Sequence, residues 1–157
     1  MLREMLIRHE GLRKKAYKCS KGKWTIGIGH NIDANPLPAD MKLYLAEHGE
    51  LSDELIDRLF EADVAIAERG CRILYPGFDS FSENRRNALI DLMFNMGLGS
   101  LQKFHVTNSL INKGDWSRAA DNLKLSLYYR QLGGDPPGTD DGREERPEEI
   151  CRLLRDG

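Results

Sequence analysis

The sequence is informative first through what it lacks. It has no apolar run near the roughly 18 residues that span a membrane, so we expect no stable membrane insertion. Its three cysteines are scattered and odd in number, which favours a reducing cytoplasm over a disulfide framework. No cysteine or histidine pair has the spacing of metal ligands, so we predict neither a metal site nor a cofactor. Residues 1–10 mix charged and apolar positions, which is not the pattern of a signal peptide.

The composition predicts a single soluble domain. The chain has 157 residues, of which 40% are hydrophobic and 31% charged, enough to bury one core. Residues 1–25 hold eight basic against two acidic residues, and residues 135–149 hold seven acidic against two basic ones. These are either two solvated faces, or a basic segment that attracts an anionic polymer with the acidic segment docked near it. The basic residues neither follow one helix nor alternate with aromatic residues, so we expect no nucleic-acid partner.

The apolar spacing and the capping residues predict a mainly α (α+β) fold. Helices are predicted over residues 2–10, from Ser52 to about Gly70, from Ser82 to Gly97, over 104–112, from Asp115 through Leu123, and from Pro147 onwards. Residues 12–18 and 23–28 predict a β-hairpin, and residues 31–40 and 133–142 predict loops. These elements predict a small N-terminal lobe, a long helix and a larger helical lobe, with a cleft between the lobes.

One short segment carries three side chains with useful chemistry. Eight residues separate Glu10 from Cys19, and five separate Cys19 from Thr25. Hydrolysis of a glycosidic bond needs an acid for the leaving oxygen and a second group that supplies or holds the nucleophile. Glu10, at a predicted helix end, suits the acid, because partial burial favours a protonated carboxyl group. Cys19 and Thr25 would hold a water across the hairpin, and nearby lysines would favour the thiolate.

Each of these residues also has an ordinary structural explanation. A glutamate at a helix end is usually a solvated charge, and a single cysteine usually behaves as a small apolar residue. A threonine in a strand usually reflects strand propensity. The joint spacing, rather than any one residue, is what favours a catalytic interpretation.

The segment from Glu10-Gly-Leu through Cys19 to Thr25-Ile-Gly-Ile-Gly-His30 resembles the signature of the phage-type lysozymes, the T-even phage lysozyme family (glycoside hydrolase family 24). In that family the pattern is Glu, eight residues, Asp or Cys, five residues, Thr. Further segments follow in the family's order, so that the resemblance covers essentially residues 1–130. These segments are Phe60–Val64, Arg85–Gly97, Thr107–Leu110, Trp116–Leu123 and Tyr128-Tyr129.

The resemblance implies a two-lobed lysozyme-like fold in one domain of residues 1–157. The N-terminal lobe would span about residues 12–58, and the C-terminal lobe about residues 70–157 plus the N-terminal helix. The implied activity is that of an endo-acting muramidase, which cuts the β-1,4 bond from N-acetylmuramic acid to N-acetylglucosamine in peptidoglycan with inversion at the anomeric carbon. Peptidoglycan glycan strands are then the partner, and a monomer is expected.

The resemblance also implies roles for individual residues. Glu10 matches the general acid, Cys19 the position that is Asp in the best-known member, and Thr25 the residue that helps place the water. His30 and Asp63 match an ion pair that joins the N-terminal lobe to the long helix, and Arg143 matches an arginine that pairs with the catalytic glutamate. Substrate-binding positions are matched by Asn31, Phe94, Asn95, Ser109 and Asn122. Asn31 is of another type than the family's residue, and Lys21 stands where the best-known member has an acid.

Two alternatives to a hydrolase follow from the missing second carboxylate. A lytic transglycosylase needs a single glutamate and leaves 1,6-anhydromuramic ends, although the retained Thr25 spacing favours hydrolysis. A peptidoglycan-binding relative without catalysis would keep the cleft and lose Glu10, which is present. The family implies synthesis in the host bacterial cytoplasm, without a signal peptide, and action on the wall after release. A phage, prophage or tail-associated origin stays open.

Overall fold

The computed structural model of the protein describes residues 1–132 and 144–157. The chain divides into two compact units, Met1–Ala65 and Ile66–Gly157. The division places the N-terminal helix in the first unit, whereas the resemblance groups it with the C-terminal lobe, and that grouping stays a prediction. None of the helices within the described residues is long and apolar enough to cross a membrane.

The first unit begins with a helix and a small sheet. Its elements are α1 (Leu2–Glu10), β1 (Arg13–Lys18), β2 (Trp24–Gly27) and β3 (His30–Asn31). The helix ends at Gly11, whose N–H donates to the Ile7 carbonyl oxygen at 2.8 Å. The sheet is antiparallel throughout with the order β1-β2-β3, so β2 is its central strand.

The register of the sheet decides which residues become neighbours. Tyr17 pairs with Thr25 and Lys18 with Trp24 across the hairpin, while Thr25 also pairs with Asn31 on β3. The turn between β1 and β2 is closed by two backbone hydrogen bonds that involve Cys19, at 2.8 and 2.9 Å. Thr25 is therefore flanked on both sides, and only 5% of it is exposed.

Two further helices follow the sheet, α2 (Ala39–His48) and α3 (Asp53–Leu74). Ser52 starts α3 as predicted, because its hydroxyl oxygen accepts the Leu55 N–H at 3.2 Å. The helix α3 runs past the predicted end at Gly70 and contains the boundary between the two units. The sequence did not predict α2, in which the buried Met41 shares a face with the half-buried Tyr44 and Leu45, while Leu43 is 61% exposed.

The second unit is helical. Its elements are α3 from Ile66, a 3₁₀ turn (Phe78–Ser80), α4 (Glu83–Met96), α5 (Leu98–Leu101), α6 (His105–Asn112), α7 (Trp116–Lys124), α8 (Leu127–Gln131) and α9 (Arg146–Asp156). Residues 87–93 of α4 are buried without interruption, so this helix is surrounded by the others. A buried ion pair joins α4 to α9, with Arg146 Nε donating to Asp91 Oδ1 at 2.8 Å.

Most predicted elements are confirmed. The caps at Ser82 and Asp115 each accept a backbone N–H from the residue three positions on, and Pro147 lies in the first turn of α9. The mainly α class with a small hairpin-based sheet is confirmed, although β3 and the short helices α5 and α8 were not predicted. The predicted loop over 133–142 lies outside the described residues.

Candidate active site

The carboxyl group of Glu10 lies against the backbone of a glycine turn. Glu10 is the last residue of α1 and is half-buried. Gly29, between β2 and β3, has a φ of +64°, and a Cβ there would lie 2.8 Å from Glu10 Cβ, Cγ and Cδ. Only glycine fits both the backbone angle and the space.

Cys19 lies in the turn between β1 and β2 and is poised to ionise. The pKa of its thiol is lowered, first by the backbone N–H of Lys23 and then by that of Lys21, while a hydrogen bond from Thr25 adds to the effect and burial opposes it. The sequence predicted the thiolate from the lysine charges. The structure instead gives the main cause as backbone N–H groups that converge on the sulfur.

Thr25 connects the thiol to the rest of the site. Its hydroxyl donates to the Lys23 carbonyl oxygen at 3.0 Å, and its single O–H proton can turn to Cys19 instead when the thiol ionises. Its cross-strand partner Tyr17 has a raised pKa, because of burial first and then because of the charge of Glu10, with Cys19 adding to the effect. Tyr17 is therefore within electrostatic range of both Glu10 and Cys19, and it is the cross-strand neighbour of Thr25.

His30 is held on both sides by acceptors. Its Nδ1 lies 2.7 Å from Asp63 Oδ2, and its Nε2 lies 2.7 Å from the Asn35 carbonyl oxygen. Because both partners accept, both ring nitrogens donate, which is the hydrogen-bonding pattern of the charged imidazolium. Burial lowers the pKa of His30, but the hydrogen bond and charge of Asp63, together with the Asn35 carbonyl, outweigh burial and raise it.

Of the predicted substrate-binding residues, Asn31 alone belongs to the first unit. Its side-chain oxygen accepts the Ala34 N–H at 3.0 Å, so this oxygen shapes the loop that follows β3. Its backbone pairs with Thr25. Asn31 thus lies beside Thr25, and the oxygen of its side-chain amide already accepts a hydrogen bond.

The other predicted substrate-binding residues lie in the second unit. Phe94 and Asn95 are half-buried in the last turn of α4, and Ser109 is exposed on α6. Asn122 on α7 is half-buried, and its Oδ1 accepts the hydroxyl of the buried Thr107 at 2.6 Å. That bond leaves the two N–H donors of the Asn122 amide for another acceptor.

Two further predictions concern ions. Arg143, which the resemblance pairs with the catalytic glutamate, lies outside the described residues. In the part of the chain that the structure describes, no group of three or more His, Cys, Asp or Glu side chains is placed to hold a metal ion.

Sequence reasoning missed several groups that hold the site. Tyr17 was recoverable, because a hairpin centred on residue 21 sets Tyr17 opposite Thr25. The carbonyl of Asn35 and the N–H groups of Lys21 and Lys23 carry no signal in the sequence, since every residue has a backbone. Nothing in the sequence of the predicted helix over 104–112 distinguished Thr107 as the partner of Asn122.

The first unit holds a half-buried carboxyl group at Glu10 and, on the hairpin, a thiol and a hydroxyl at Cys19 and Thr25, which are groups that enzymes use to transfer protons. The family model described as phage lysozyme matches residues 7–145 of the chain. The chain therefore belongs to the phage lysozyme family, and its function is that of a lysozyme, a glycosidase.

Three relatives illustrate the family. The chain is 33% identical over 145 residues to the pre-baseplate central spike protein of Enterobacteria phage T4, covering 83% of this chain and 25% of that protein. It is 30% identical over 145 residues to a probable T4-type lysozyme of Dictyostelium discoideum, covering 83% of this chain and 85% of that protein. It is also 30% identical over 125 residues to the endolysin of Acyrthosiphon pisum secondary endosymbiont phage 1, covering 78% of this chain and 75% of that protein. The chain thus spans about a quarter of the spike protein but most of the two lysozyme-like relatives.

The contact between Gly29 and Glu10 predicts a large loss of activity in Gly29→Ala. The substitution strains the backbone by about 1–2 kcal/mol and displaces Glu10, and a misplacement of about 1 Å costs on the order of 100-fold in rate. Gly49→Ala is the matched control, since Gly49 has a φ of +74° but open space around it. Wall-clearing rates and urea unfolding of both variants test this. Equal rates in the two variants would contradict it.

The environment of His30 predicts a pH-dependent stability. A pKa raised in the folded state gives a contribution that is fully present below the unfolded value of about 6.5 and is lost as pH rises through the folded value. The difference in unfolding free energy between the wild type and His30→Asn should therefore be largest in acid solution and smaller in alkaline solution. His48→Asn, at an exposed histidine, is the control. Parallel pH profiles for the wild type and His30→Asn would refute the assignment.

The three thiols should differ sharply in reactivity. Burial raises the pKa of Cys71 and of Cys151 to about 12, whereas that of Cys19 is lowered. At about pH 7.5 iodoacetamide should label Cys19 alone, because the thiolate is the nucleophile. Thr25→Val should move the midpoint of the alkylation rate to higher pH, whereas Thr107→Val should leave it in place. Peptide mass mapping identifies the labelled site, and an unmoved midpoint in Thr25→Val would exclude the hydrogen bond.

Proposed function

We propose that the chain is an endo-acting muramidase that hydrolyses the β-1,4 bond from N-acetylmuramic acid to N-acetylglucosamine in bacterial peptidoglycan. The observation that supports the proposal is that Tyr17 lies within electrostatic range of Glu10 and Cys19 and pairs across the hairpin with Thr25. Membership of the phage lysozyme family supplies the reaction class, and relatives with lysozyme and endolysin names support the wall substrate.

Glu10 acts as the general acid. It protonates the glycosidic oxygen as the bond to the anomeric carbon breaks. Its contact with Gly29 supports this role, because a fixed carboxyl group loses little freedom when it meets the leaving oxygen.

Cys19 and Thr25 act on the water. The water oxygen forms a bond to the anomeric carbon on the face opposite the leaving group, so the configuration inverts, and its proton passes to the thiolate of Cys19. Glu10 then takes up a proton from solvent and the Cys19 thiol releases one to solvent, which restores both groups. The thiolate stands in for the second carboxylate of an inverting glycosidase, with the Lys21 and Lys23 N–H groups and the Thr25 hydroxyl favouring its charge.

Five residues bind the glycan in this proposal. Asn31, Phe94, Asn95, Ser109 and Asn122 contact the sugars. The Thr107 hydroxyl supports the role of Asn122, because it fixes the amide so that the N–H groups are offered to a sugar oxygen. His30 and Asp63 position the turn that carries Gly29 and take no direct part in the chemistry.

The setting is a further part of the proposal. The chain would be made in the bacterial host cytoplasm, reach the wall on release, and work there as a monomer on glycan strands. Two phage relatives that carry the name endolysin support action on the wall in this setting. A quarter-length match to a spike protein also fits a tail-associated role, and that origin stays open.

Substitutions at the two ionisable groups test the roles directly. Glu10→Gln should remove wall cleavage while the unfolding free energy changes little, since it keeps the shape and loses the acid. Cys19→Asp should stay active, because a carboxylate also accepts the proton of water, and Cys19→Ala should lose about 100-fold or more. A turbidity assay on cell walls under reducing conditions measures all three. If Cys19→Ala cleaved the wall as fast as the wild type, the thiol would have no role in the reaction.

The products decide between the candidate functions. Purified protein is incubated with peptidoglycan, and the released muropeptides are analysed by mass spectrometry. Reducing N-acetylmuramic acid ends support the muramidase. Anhydro ends would establish a lytic transglycosylase, and binding without release would establish a relative that has kept the fold without the chemistry.

A further inference from the structure

We infer that the hairpin of residues 13–24 is a second binding surface, which takes the carboxylates of the peptides attached to the glycan strand. This inference rests on the proposed function, because the polymer that it binds is the polymer that the site cuts. The surface, called here the basic hairpin, comprises β1, the turn at Cys19 and the start of β2.

The basic hairpin carries charge of one sign only. It holds six basic residues and no acidic residue, and all six are exposed. These residues are Arg13, Lys14, Lys15, Lys18, Lys21 and Lys23. A group of like charges on twelve residues repels itself, so an anion that binds there relieves the repulsion as well as forming new contacts.

The charges are only partly used within the chain. Lys14 pairs with Asp53 at 3.1 Å, Arg13 lies over the Tyr17 ring, and Lys18 lies over the Trp24 ring. Among residues 1–132 and 144–157, no carboxylate lies within salt-bridge distance of Lys15, Lys21 or Lys23. Three acids of the acidic segment 135–149 have partners close to them in sequence. Glu144 pairs with Arg152, and Glu145 forms a capping box with Glu148.

An exposed ring completes the surface. Trp24 is 45% exposed and lies opposite Lys18 across the hairpin. An indole offers a flat apolar face, and a lysine ammonium beside it offers a charge, so the pair can meet an amphipathic peptide. The next residue, Thr25, turns to the other side of the strand and is buried beside Cys19.

The position of the hairpin identifies the anion. Cys19 and Thr25 belong to the same hairpin, so a strand that places its glycosidic bond at these residues passes directly beside the lysines. In peptidoglycan every N-acetylmuramic acid carries a short peptide with free carboxylates, at regular intervals along the glycan. The basic hairpin therefore fits the peptide carboxylates of the strand being cut.

The inference is tested by sedimentation of the protein with insoluble peptidoglycan that is free of teichoic acid. Binding is measured in the Glu10→Gln background, so that cleavage does not consume the polymer. The double variant Lys15→Glu/Lys18→Glu removes hairpin charge without touching Cys19, Thr25 or the turn. Lys103→Glu/Lys113→Glu, at two exposed lysines of the second unit, makes the same change in net charge and is the matched control.

Three substrates separate the possible sources of the anion. The first is peptidoglycan with its natural peptides. The second is the same material after carbodiimide coupling to methylamine, which turns the carboxylates into neutral amides and keeps the peptides. The third is wall that retains teichoic acid, whose anions are phosphates. Each is measured at about 20 mM and about 500 mM salt, because screening removes contacts between exposed charges at the higher value.

The expected result is a binding constant of the hairpin variant about tenfold weaker than that of the control on natural peptidoglycan at low salt. The difference should fall below about twofold on the amidated material and at high salt. Equal binding by the two variants on natural peptidoglycan would overturn the inference, and so would a difference confined to wall with teichoic acid.

The failure of this inference is distinct from that of the proposed function. If the wild type releases no muropeptides but the hairpin variant still binds less tightly, the proposed hydrolysis is wrong and the binding surface stands. If the wild type cleaves the wall and the two double variants bind and cleave alike, the proposed function stands and the binding surface is wrong.

Discussion

The site depends on the two hydrogen bonds that His30 makes to Asp63 and to the Asn35 carbonyl. These bonds tie the end of the sheet to α3 and to the loop after β3. Gly29 directly precedes His30, and Gly29 is the residue whose backbone meets the Glu10 side chain. The placement of the carboxyl group thus depends on an ion pair made by the next residue along the chain. A raised pKa at His30 extends the charged form of this ion pair to higher pH than a free imidazole would allow.

A thiol in place of a carboxylate changes what the protein has to provide. A carboxyl group ionises near pH 4 without assistance, whereas a free thiol does so near 8.5. The turn after β1 supplies that assistance through the N–H groups of Lys23 and Lys21 and the hydroxyl of Thr25. The two buried cysteines show the opposite case, since burial without such donors raises the pKa of each to about 12. The backbone, rather than the residue type, makes Cys19 suited to handling a proton.

Much of this architecture was predictable, because local chemistry fixes it. The caps at Ser52, Ser82 and Asp115 and the hairpin were predicted from residues that act on their own immediate neighbours. Helix α2 was missed, since its inward face is limited to Met41, Tyr44 and Leu45, and the exposed Leu43 obscures so short a pattern. The cause of the lowered thiol pKa was assigned to the wrong groups for a different reason. Side-chain charges are visible in a sequence, and converging N–H groups are not.

The hairpin turn shows how one segment serves two needs. At Lys21 and Lys23 the backbone N–H groups converge on the thiol, while the side chains extend into solvent as free cations within the described part of the chain. Because backbone and side chain act separately, the charge available to a polymer can vary without loss of the thiolate. Exposed lysines add little to the fold, since surface ion pairs contribute at most about 1 kcal/mol. A run of six cations with no acid among them is therefore better explained by an external anion than by stability.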